Sequence, residues 1–415
     1  MSNEQKSRIE KFYIRNARTE DLPLLRQLFA EEGFGDLSSV ENVRVAATRD
    51  NIMYGAIRCE KGSNHAWYVR PIVVFDSMQG HGVGKALLND ALKQHVDLRL
   101  SSRGEIGPFY ESCGMQKCFW EDIAPEFARE CKELCPDYKE CAPQPYRSIP
   151  AKHTLTFLGT SSGCGVPAFF CHCPACEEAR KDPTKRRGCT GVVVQGRGTL
   201  LIDAPPDLRH QLNREHVDRI DEFFLTHAHF DHMGGLGELE YYIRLHCLDK
   251  LPFRGSSEAI KGAFEEFSYM QDIFEKDEIK PYGIREFDGI LIQALPVKHC
   301  PGSFGYLLKT PYANTFYAPD TAQLEDRVIE ILQGVDNLIM DATFWKNRGT
   351  HITHHLVKET IDEGINLLHA QKIYLQHLAP HMCDEGVNEI EEIYKYAAQF
   401  GGRVIVAEDG MKVQI

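Results

Sequence analysis

The chain has 415 residues, and its 47 Lys and Arg against 60 Asp and Glu give a formal net charge of −13. That acidic balance argues against a general nucleic-acid binder, which shows a basic surplus, while 43% hydrophobic and 26% charged residues are ordinary for a water-soluble globular chain of about two to three domains. No run approaches the ~18 apolar residues of a membrane span, and the opening MSNEQKSRIEKFYIRNAR lacks the apolar core of a signal peptide. A cytoplasmic protein without membrane contact is therefore expected. Its 14 cysteines are then expected to be metal ligands or buried thiols rather than disulfides.

In chain order, FYIRNA reads as a strand. Thr19 is placed to cap a helix whose first turn holds Glu20 and Asp21 and whose apolar face is Leu22, Leu25, Leu28 and Phe29. VRVAATRDNIMYGAIRCE reads as a strand hairpin turning at Arg49–Asn51, and AWYVRPIVVF as another strand. MQGHGVGKALLNDAL then sets Gln79, Gly80, Gly82, Gly84 and Lys85 between a strand and a helix. Backbone N–H groups in such a turn, with the helix N-terminus, form an anion site. With GPFYESCGM some two dozen residues on, this region, about 12–120, resembles the GNAT N-acetyltransferases. The resemblance implies a mixed-sheet domain over 1–142 that holds the pyrophosphate of acetyl-CoA on Gln79, Gly80, Gly82, Gly84 and Lys85, with Tyr110 protonating the departing thiolate. Cys131, Cys135 and Cys141 follow at spacings that fit no zinc motif well, and free thiols are expected.

CAPQPYRSIPAKH, with three prolines, reads as a seam, so residues 143–152 are expected to be a linker. Beyond it, strands such as TLTFLGT, TLLIDA, DEFFLT, ILIQALPVKH, TFYAPDT, NLIMDATF and KIYLQHL alternate with helices, and many end in His or Asp. In layered α/β folds ligands gather beyond such strand ends. FLTHAHFDHMGG crowds His227, His229, Asp231 and His232 into six positions. No regular element presents that spacing on one side. A tight loop from strand to helix does, and three imidazoles with a carboxylate suit zinc, manganese or iron.

This motif resembles the metallo-β-lactamase superfamily, an αββα sandwich expected over 153–415. The resemblance implies one metal on His227, His229 and His299, a second on Asp231, His232 and His377, Asp320 bridging them, and Asp203 orienting the loop. Two such ions, about 3.5–4 Å apart, activate a water and clamp a phosphoryl group. LGTSSGCGVPAFFCHCPAC, carrying Cys171, Cys173 and Cys176 and followed by the basic RKDPTKRRG, resembles more narrowly the phosphodiesterase family of the carbon–phosphorus lyase pathway (PhnP). That family opens 5-phosphoribosyl 1,2-cyclic phosphate to ribose 1,5-bisphosphate. The likeness implies a structural zinc on the three cysteines and His381, with Cys383 as rival, and two catalytic zinc or manganese ions. It also implies a catalytic His at a helix start: THITHHLVKETI offers His351, His354 and His355, of which His355 aligns, and Asp231 and His355 are counted as catalytic. The basic stretch is either a solvated loop or a contact for a phosphorylated ligand.

The expected whole is a cyclic-phosphate phosphodiesterase with a small phosphorylated substrate and a fused acetyl-CoA-binding domain, with a homodimer open. Alternatives are a hydrolase of cyclic nucleotides or RNA, a two-iron oxygen-reducing relative (disfavoured by His229), and an acyl-CoA-regulated hydrolase with an inactive first domain.

Overall fold

The computed structural model describes residues 10–30, 33–34, 37–247, 249–347 and 353–415, so His351 lies outside the described residues. Two compact units divide at Ala151 and Lys152, the first also including Cys247–Asp249.

Among the described residues of the first unit, seven strands form one sheet in the order β1-β2-β3-β4-β5-β7-β6. They are β1 (Tyr13–Asn16), β2 (Val43–Ala47), β3 (Met53–Lys61), β4 (Trp67–Val74), β5 (Leu98–Ser102), β6 (Met115–Lys117) and β7 (Gln144–Ser148). The expected hairpin is the β2–β3 antiparallel pair. Strand alternation sends side chains to two cores. Val43, Val45 and Ala56 meet Leu25, Leu28 and Phe29 of helix Leu22–Ala30, whereas Ala46, Ile57 and Leu98 meet Val83, Leu87, Leu88 and Leu92 of helix Val83–Gln94. Each such leucine, fully buried, contributes about 1.5–3 kcal/mol.

Two local expectations are corrected. Thr19 makes no cap; it opens a 3-10 turn, Thr19–Asp21, in which Asp21 accepts a hydrogen bond from the Arg18 amide at 2.7 Å. Asp21 does this because it is already fixed by two bonds from the buried Arg15 guanidinium, at 2.7 and 3.0 Å. The stretch expected as a linker holds β7, which pairs antiparallel with both β5 and β6. Its Tyr146 is 1% exposed and fills the sheet's core, so burial outweighs the prolines.

The second unit carries two seven-stranded sheets among its described residues. One runs β13-β12-β11-β10-β9-β8-β21, from β8 (Thr154–Gly159), β9 (Gly191–Gln195), β10 (Thr199–Ile202), β11 (Glu222–Phe224), β12 (Leu251–Gly255), β13 (Phe274–Glu278) and β21 (Lys412–Gln414). The other runs in sequence order: β14 (Ile284–Phe287), β15 (Ile290–Pro296), β16 (Phe304–Lys309), β17 (Asn314–Ala318), β18 (Asn337–Asp341), β19 (Lys372–Gln376) and β20 (Val404–Val406). Alternate residues face each other between the sheets, with Leu155, Phe157, Val192, Leu200 and Phe224 against Ile290, Ile292, Phe304, Tyr306 and Tyr317. The far face of the second sheet, Phe316, Leu338, Met340 and Leu375, is covered by Val328, Leu332, Ile361 and Ile393 of helices Asp326–Leu332, Val357–Asp362 and Glu389–Ala397. Phe264 of helix Ser257–Glu266 packs on Phe253 of the first sheet. The layers are therefore helix, sheet, sheet, helix. Strands β10 and β11 run parallel, as do β17, β18 and β19, so the segments following them leave each sheet at one edge.

Candidate metal centre

The segments after those strands carry the site. Asp203 follows β10, His227 follows β11 by three residues, His299 follows β15, Asp320 follows β17, and His377 directly follows β19. Between β11 and helix Leu236–His246 the chain makes the expected tight loop, with a short helix Phe230–Met233 inside it. The close turn depends on Gly235. A Cβ there would lie 2.1 Å from the Pro205 carbonyl oxygen, so only glycine lets the loop rest on the segment after β10.

Asp203 anchors the loop. It is fully buried, with a left-handed φ of +65°. Its Oδ1 accepts from the Thr226 amide and its Oδ2 from His232 Nδ1, both at 2.9 Å. Binding one ring nitrogen fixes the tautomer and aims the other inward. Thr343 does the same for His377, whose Nδ1 lies 2.9 Å from its hydroxyl, and the Thr353 carbonyl does so for His299, at 2.9 Å from Nδ1.

The inward atoms converge in two groups around Asp320. His227 Nε2, His229 Nδ1 and His299 Nε2 form the first, with separations of 3.1 and 3.0 Å about His229. Asp231, His232 and His377 form the second, with His232 Nε2 and His377 Nε2 each 3.5 Å from Asp231 Oδ2. Asp320 stands between: its Oδ2 is 3.3 Å from His227 and 3.1 Å from His232, and its Oδ1 is 3.0 Å from His377.

The contacts that His232 Nε2 and His377 Nε2 make with Asp231 and Asp320 are not hydrogen bonds. His232 Nε2, His377 Nε2 and Asp320 Oδ1 are all buried and lack any hydrogen-bond partner despite their proximity. Leaving such atoms unpaired in a core is costly. Three imidazole nitrogens about 3 Å apart cannot all be satisfied by each other, since a neutral ring has one donor. Both facts fit a set of lone pairs directed at cations. The electrostatics agree. Burial opposes charge on His377, but Asp320 and Asp231 outweigh it and raise its pKa to about 10. His227 is pushed down to about 3, first by burial and then by His232. The carboxylates demand positive charge in a space that holds too little of it, and divalent ions meet that demand.

Cys171, Cys173, Cys176 and His381 offer a second kind of cluster, with ligand atoms all within 4.8 Å of one another and Cys176 Sγ 3.4 Å from His381 Nδ1. His381 is thus the fourth member; Cys383 packs beside the group, half-buried. Three thiols and an imidazole match a closed tetrahedral zinc set.

Not every expected residue joins the centre. His355 turns away: its Nδ1 donates to the Thr321 carbonyl at 2.7 Å and its Nε2 lies 2.8 Å from Glu363. Burial works against charge on His355, but Glu363 outweighs it and raises the pKa. His354 lies nearer the centre. Its ring stacks on His377 with centroids 5.6 Å apart, its Nδ1 bonds Asp341 at 2.8 Å, and it lies 4.0 Å from Asp320. The two adjacent histidines are alike in the local sequence, and only their partners in the fold, Asp341 for His354 and Thr321 with Glu363 for His355, separate them. Asp341 and Thr343, at the end of β18, are supporting residues the sequence reading missed; the strand ending in Asp was their signal.

The basic stretch is largely spent on structure rather than on a ligand. Arg180 donates to the carbonyls of Ala168 and Cys171, at 2.8 and 2.6 Å, propping the cysteine loop. Arg187 is buried and bonds Thr160 Oγ1 at 2.8 Å and Tyr394 at 2.9 Å. A pocket of ≈ 640 Å³ opens beside the centre, lined among others by Lys298, Gln323, His354, His355 and Glu363.

In the first unit, Gly80 and Gly82 have φ of +76° and +84°, and Gly82 caps helix Val83–Gln94. Gln79 is exposed and bonds Asp76 at 2.9 Å, while Lys85 is exposed on the helix's first turn. Gly84 lies under the Phe109 ring, 3.4 Å from where its Cβ would be. The β4–β5 ladder is parallel and covers only Trp67↔Leu98 and Tyr68↔Arg99. Tyr110 is 9% exposed, packed between Phe109 and Tyr146 with centroids 5.1 and 6.0 Å away. Cys131, Cys135 and Cys141 carry no disulfide.

Residues 199–378, which contain all seven converging side chains, match the model of the Beta-lactamase superfamily domain. The chain is similar to a solved structure described as a new diphosphatase from the PhnP family, at 27% identity and a TM-score of 0.55, covering 64% of this chain and 97% of that one. It is similar to coenzyme PQQ synthesis protein B of Acinetobacter baumannii (strain AYE), 24% identical over 315 residues, 63% of this chain and 99% of that protein. It is also similar to the octanoyltransferase of Porphyromonas gingivalis (strain ATCC BAA-308 / W83), 25% identical over 269 residues, 62% of this chain; the chain spans about half of that protein, 52%. No helix among the described residues is long and apolar enough to cross a membrane. Match, topology and site together identify the C-terminal part of the chain as a metallo-β-lactamase-fold domain, a fold whose members bind divalent metals.

Proposed function

We propose that the C-terminal unit is a two-metal phosphodiesterase that opens a small cyclic phosphate, with 5-phosphoribosyl 1,2-cyclic phosphate giving ribose 1,5-bisphosphate as its substrate and product. The observation that carries the reading is the pair of inward donor groups sharing Asp320, with buried His232, His377 and Asp320 atoms left unpartnered by the protein. The likeness to a PhnP-family diphosphatase supports phosphorus chemistry. His227, His229 and His299 would hold one ion, Asp231, His232 and His377 the other, and Asp320 both; Cys171, Cys173, Cys176 and His381 would hold a structural zinc. Bound there, two divalent ions would supply a water activated near neutral pH and a clamp on the phosphoryl oxygens.

The chain's own side chains do the rest. Asp203, Thr343 and the Thr353 carbonyl hold three imidazoles in fixed tautomers, so nothing reorganises during reaction. Lys298 and Gln323 line the adjoining pocket and hold the phosphorylated body of the substrate. His354, held by Asp341 through Nδ1, offers its other nitrogen to protonate the departing sugar oxygen. His355 keeps the pocket wall in place through Glu363.

For the first unit, a fused acetyl-CoA-binding domain is proposed on the Gln79–Lys85 loop. Gly80 and Gly82 are left-handed, Gly82 precedes a 12-residue helix as its N-cap, and β4 and β5 share only two paired positions. Backbone amides at a helix start suit a pyrophosphate.

Turnover of the purified, zinc- or manganese-loaded chain on 5-phosphoribosyl 1,2-cyclic phosphate, nucleoside 2′,3′-cyclic phosphates and an alkyl diphosphate tests the reading. Fastest turnover of the phosphoribosyl ester supports it. Preference for the diphosphate or the nucleotides overturns the substrate, and no hydrolysis of any overturns the activity.

A further inference from the structure

We propose that Cys300 is a further ligand of the His227–His229–His299 position, which makes the two metal positions chemically unequal. The inference rests on the reading of this centre as a metal site.

Cys300 directly follows His299 on the segment that leaves β15. Its ligand atom and those of His227, His229 and His299 all lie within 4.8 Å of one another. A tetrahedral zinc site with Zn–N near 2.0–2.1 Å and Zn–S near 2.3 Å has ligand-to-ligand edges of roughly 3.3–3.6 Å. The imidazole nitrogens stand close to that, at 3.0 and 3.1 Å, and the thiol, within 4.8 Å of each of them, would join the set beside the shared Asp320.

The turn carrying the thiol is built to hold it. The Cys300 amide donates to Ser303 Oγ at 3.1 Å, the Ser303 amide donates back to the Cys300 carbonyl at 3.1 Å, and Cys300 Sγ lies 3.1 Å from the same hydroxyl. Gly302 sits in the turn with φ +76°, where a Cβ would lie 2.6 Å from Ser256 Oγ, so the turn closes only with glycine. A hydroxyl that donates to a sulfur orients its lone pairs, as supporting hydrogen bonds do for other metal ligands.

The consequence lies in metal choice. Three imidazoles and a thiolate favour zinc, whereas Asp231, His232 and His377 with the shared Asp320 form a harder set that accepts manganese. The first position takes zinc and the second tolerates either. On binding, the Cys300 thiol gives its proton to solvent and the S–metal bond forms, with no change of oxidation state.

The test is cobalt substitution of the full chain and of Cys300→Ser, read by metal content and by the near-ultraviolet thiolate-to-cobalt absorption. Four thiolates contribute in the native chain, Cys171, Cys173, Cys176 and Cys300, and three in the variant. We expect the absorption to fall by one thiolate's share while three ions remain bound. Peptide mass spectrometry after iodoacetamide gives a second readout: zinc protects Cys300 from alkylation, and a chelator exposes it. Three ions in both chains with identical spectra, or equal alkylation with and without zinc, overturns the role of Cys300 alone. A single ion in both chains overturns the metal reading beneath it.

Discussion

Asp203 holds both the Thr226 amide and His232 with its carboxylate, so it sets where the histidine loop sits. Replacing it with Asn keeps the size but removes the charge that fixes His232. Metal affinity in competition with a chromophoric chelator is expected to fall roughly 10–100-fold, as for other supporting ligand partners; unchanged affinity would remove Asp203 from the site. His354 and His355 make a sharper pair. His354→Gln is expected to lower kcat about 10²–10⁴-fold, the range for a lost general acid, while His355→Gln leaves kcat within about tenfold because that ring serves Glu363. The reverse ranking would restore His355 to the role its sequence position suggests. In the first unit, His95 stacks on Trp67 at 4.2 Å, and burial pushes its pKa down to about 4. Unfolded, it titrates near 6.5, so between those values the unfolded chain binds the extra proton. Stability tied to His95 is intact above pH about 6.5 and is lost as pH falls toward 4. His95→Gln should flatten the dependence of Tm on pH over that window, which calorimetry measures.

At the level of elements, the histidine loop was legible because its ligands are packed within six residues and no helix or strand can present that spacing on one side. His299, Asp320 and His377 were legible less directly, through apolar runs that end in a ligand. Strand β7 was not. Pro143 and Pro145 mimic a linker, and only the tertiary fit of Tyr146 between neighbouring strands turns the segment into sheet. Cys300 was equally silent, since one thiol beside one imidazole has no pattern until the fold brings His227 and His229 to it. The cysteine loop stands on Arg180 and on helix Glu389–Ala397, whose Ile390 packs beside the thiols. Cys173→Ser is expected to remove one zinc per chain and lower Tm by several degrees, since closed zinc sites contribute folding energy directly. Metal analysis with calorimetry checks this; full zinc content in the variant would show that the cluster holds no ion.

On the scale of the whole molecule, the second unit reads as a scaffold in which parallel strands of two sheets deliver ligands to one edge. The side chains packed between the sheets are mostly apolar, and the polar side chains of the centre lie where the strands end. The first unit has its own sheet and cores. Acetyl-CoA at a hundred times its Kd should stabilise it by about 2.7 kcal/mol, seen as a shift of several degrees in the melting of the full chain. No shift at saturation would count against the Gln79–Lys85 loop as its site.

The most direct test of the central claim is anomalous diffraction at the zinc absorption edge from crystals of the zinc-loaded chain. The account predicts two peaks about 3.5–4 Å apart, one among His227, His229 and His299, the other among Asp231, His232 and His377, with Asp320 touching both. A single peak there, or none, would contradict it.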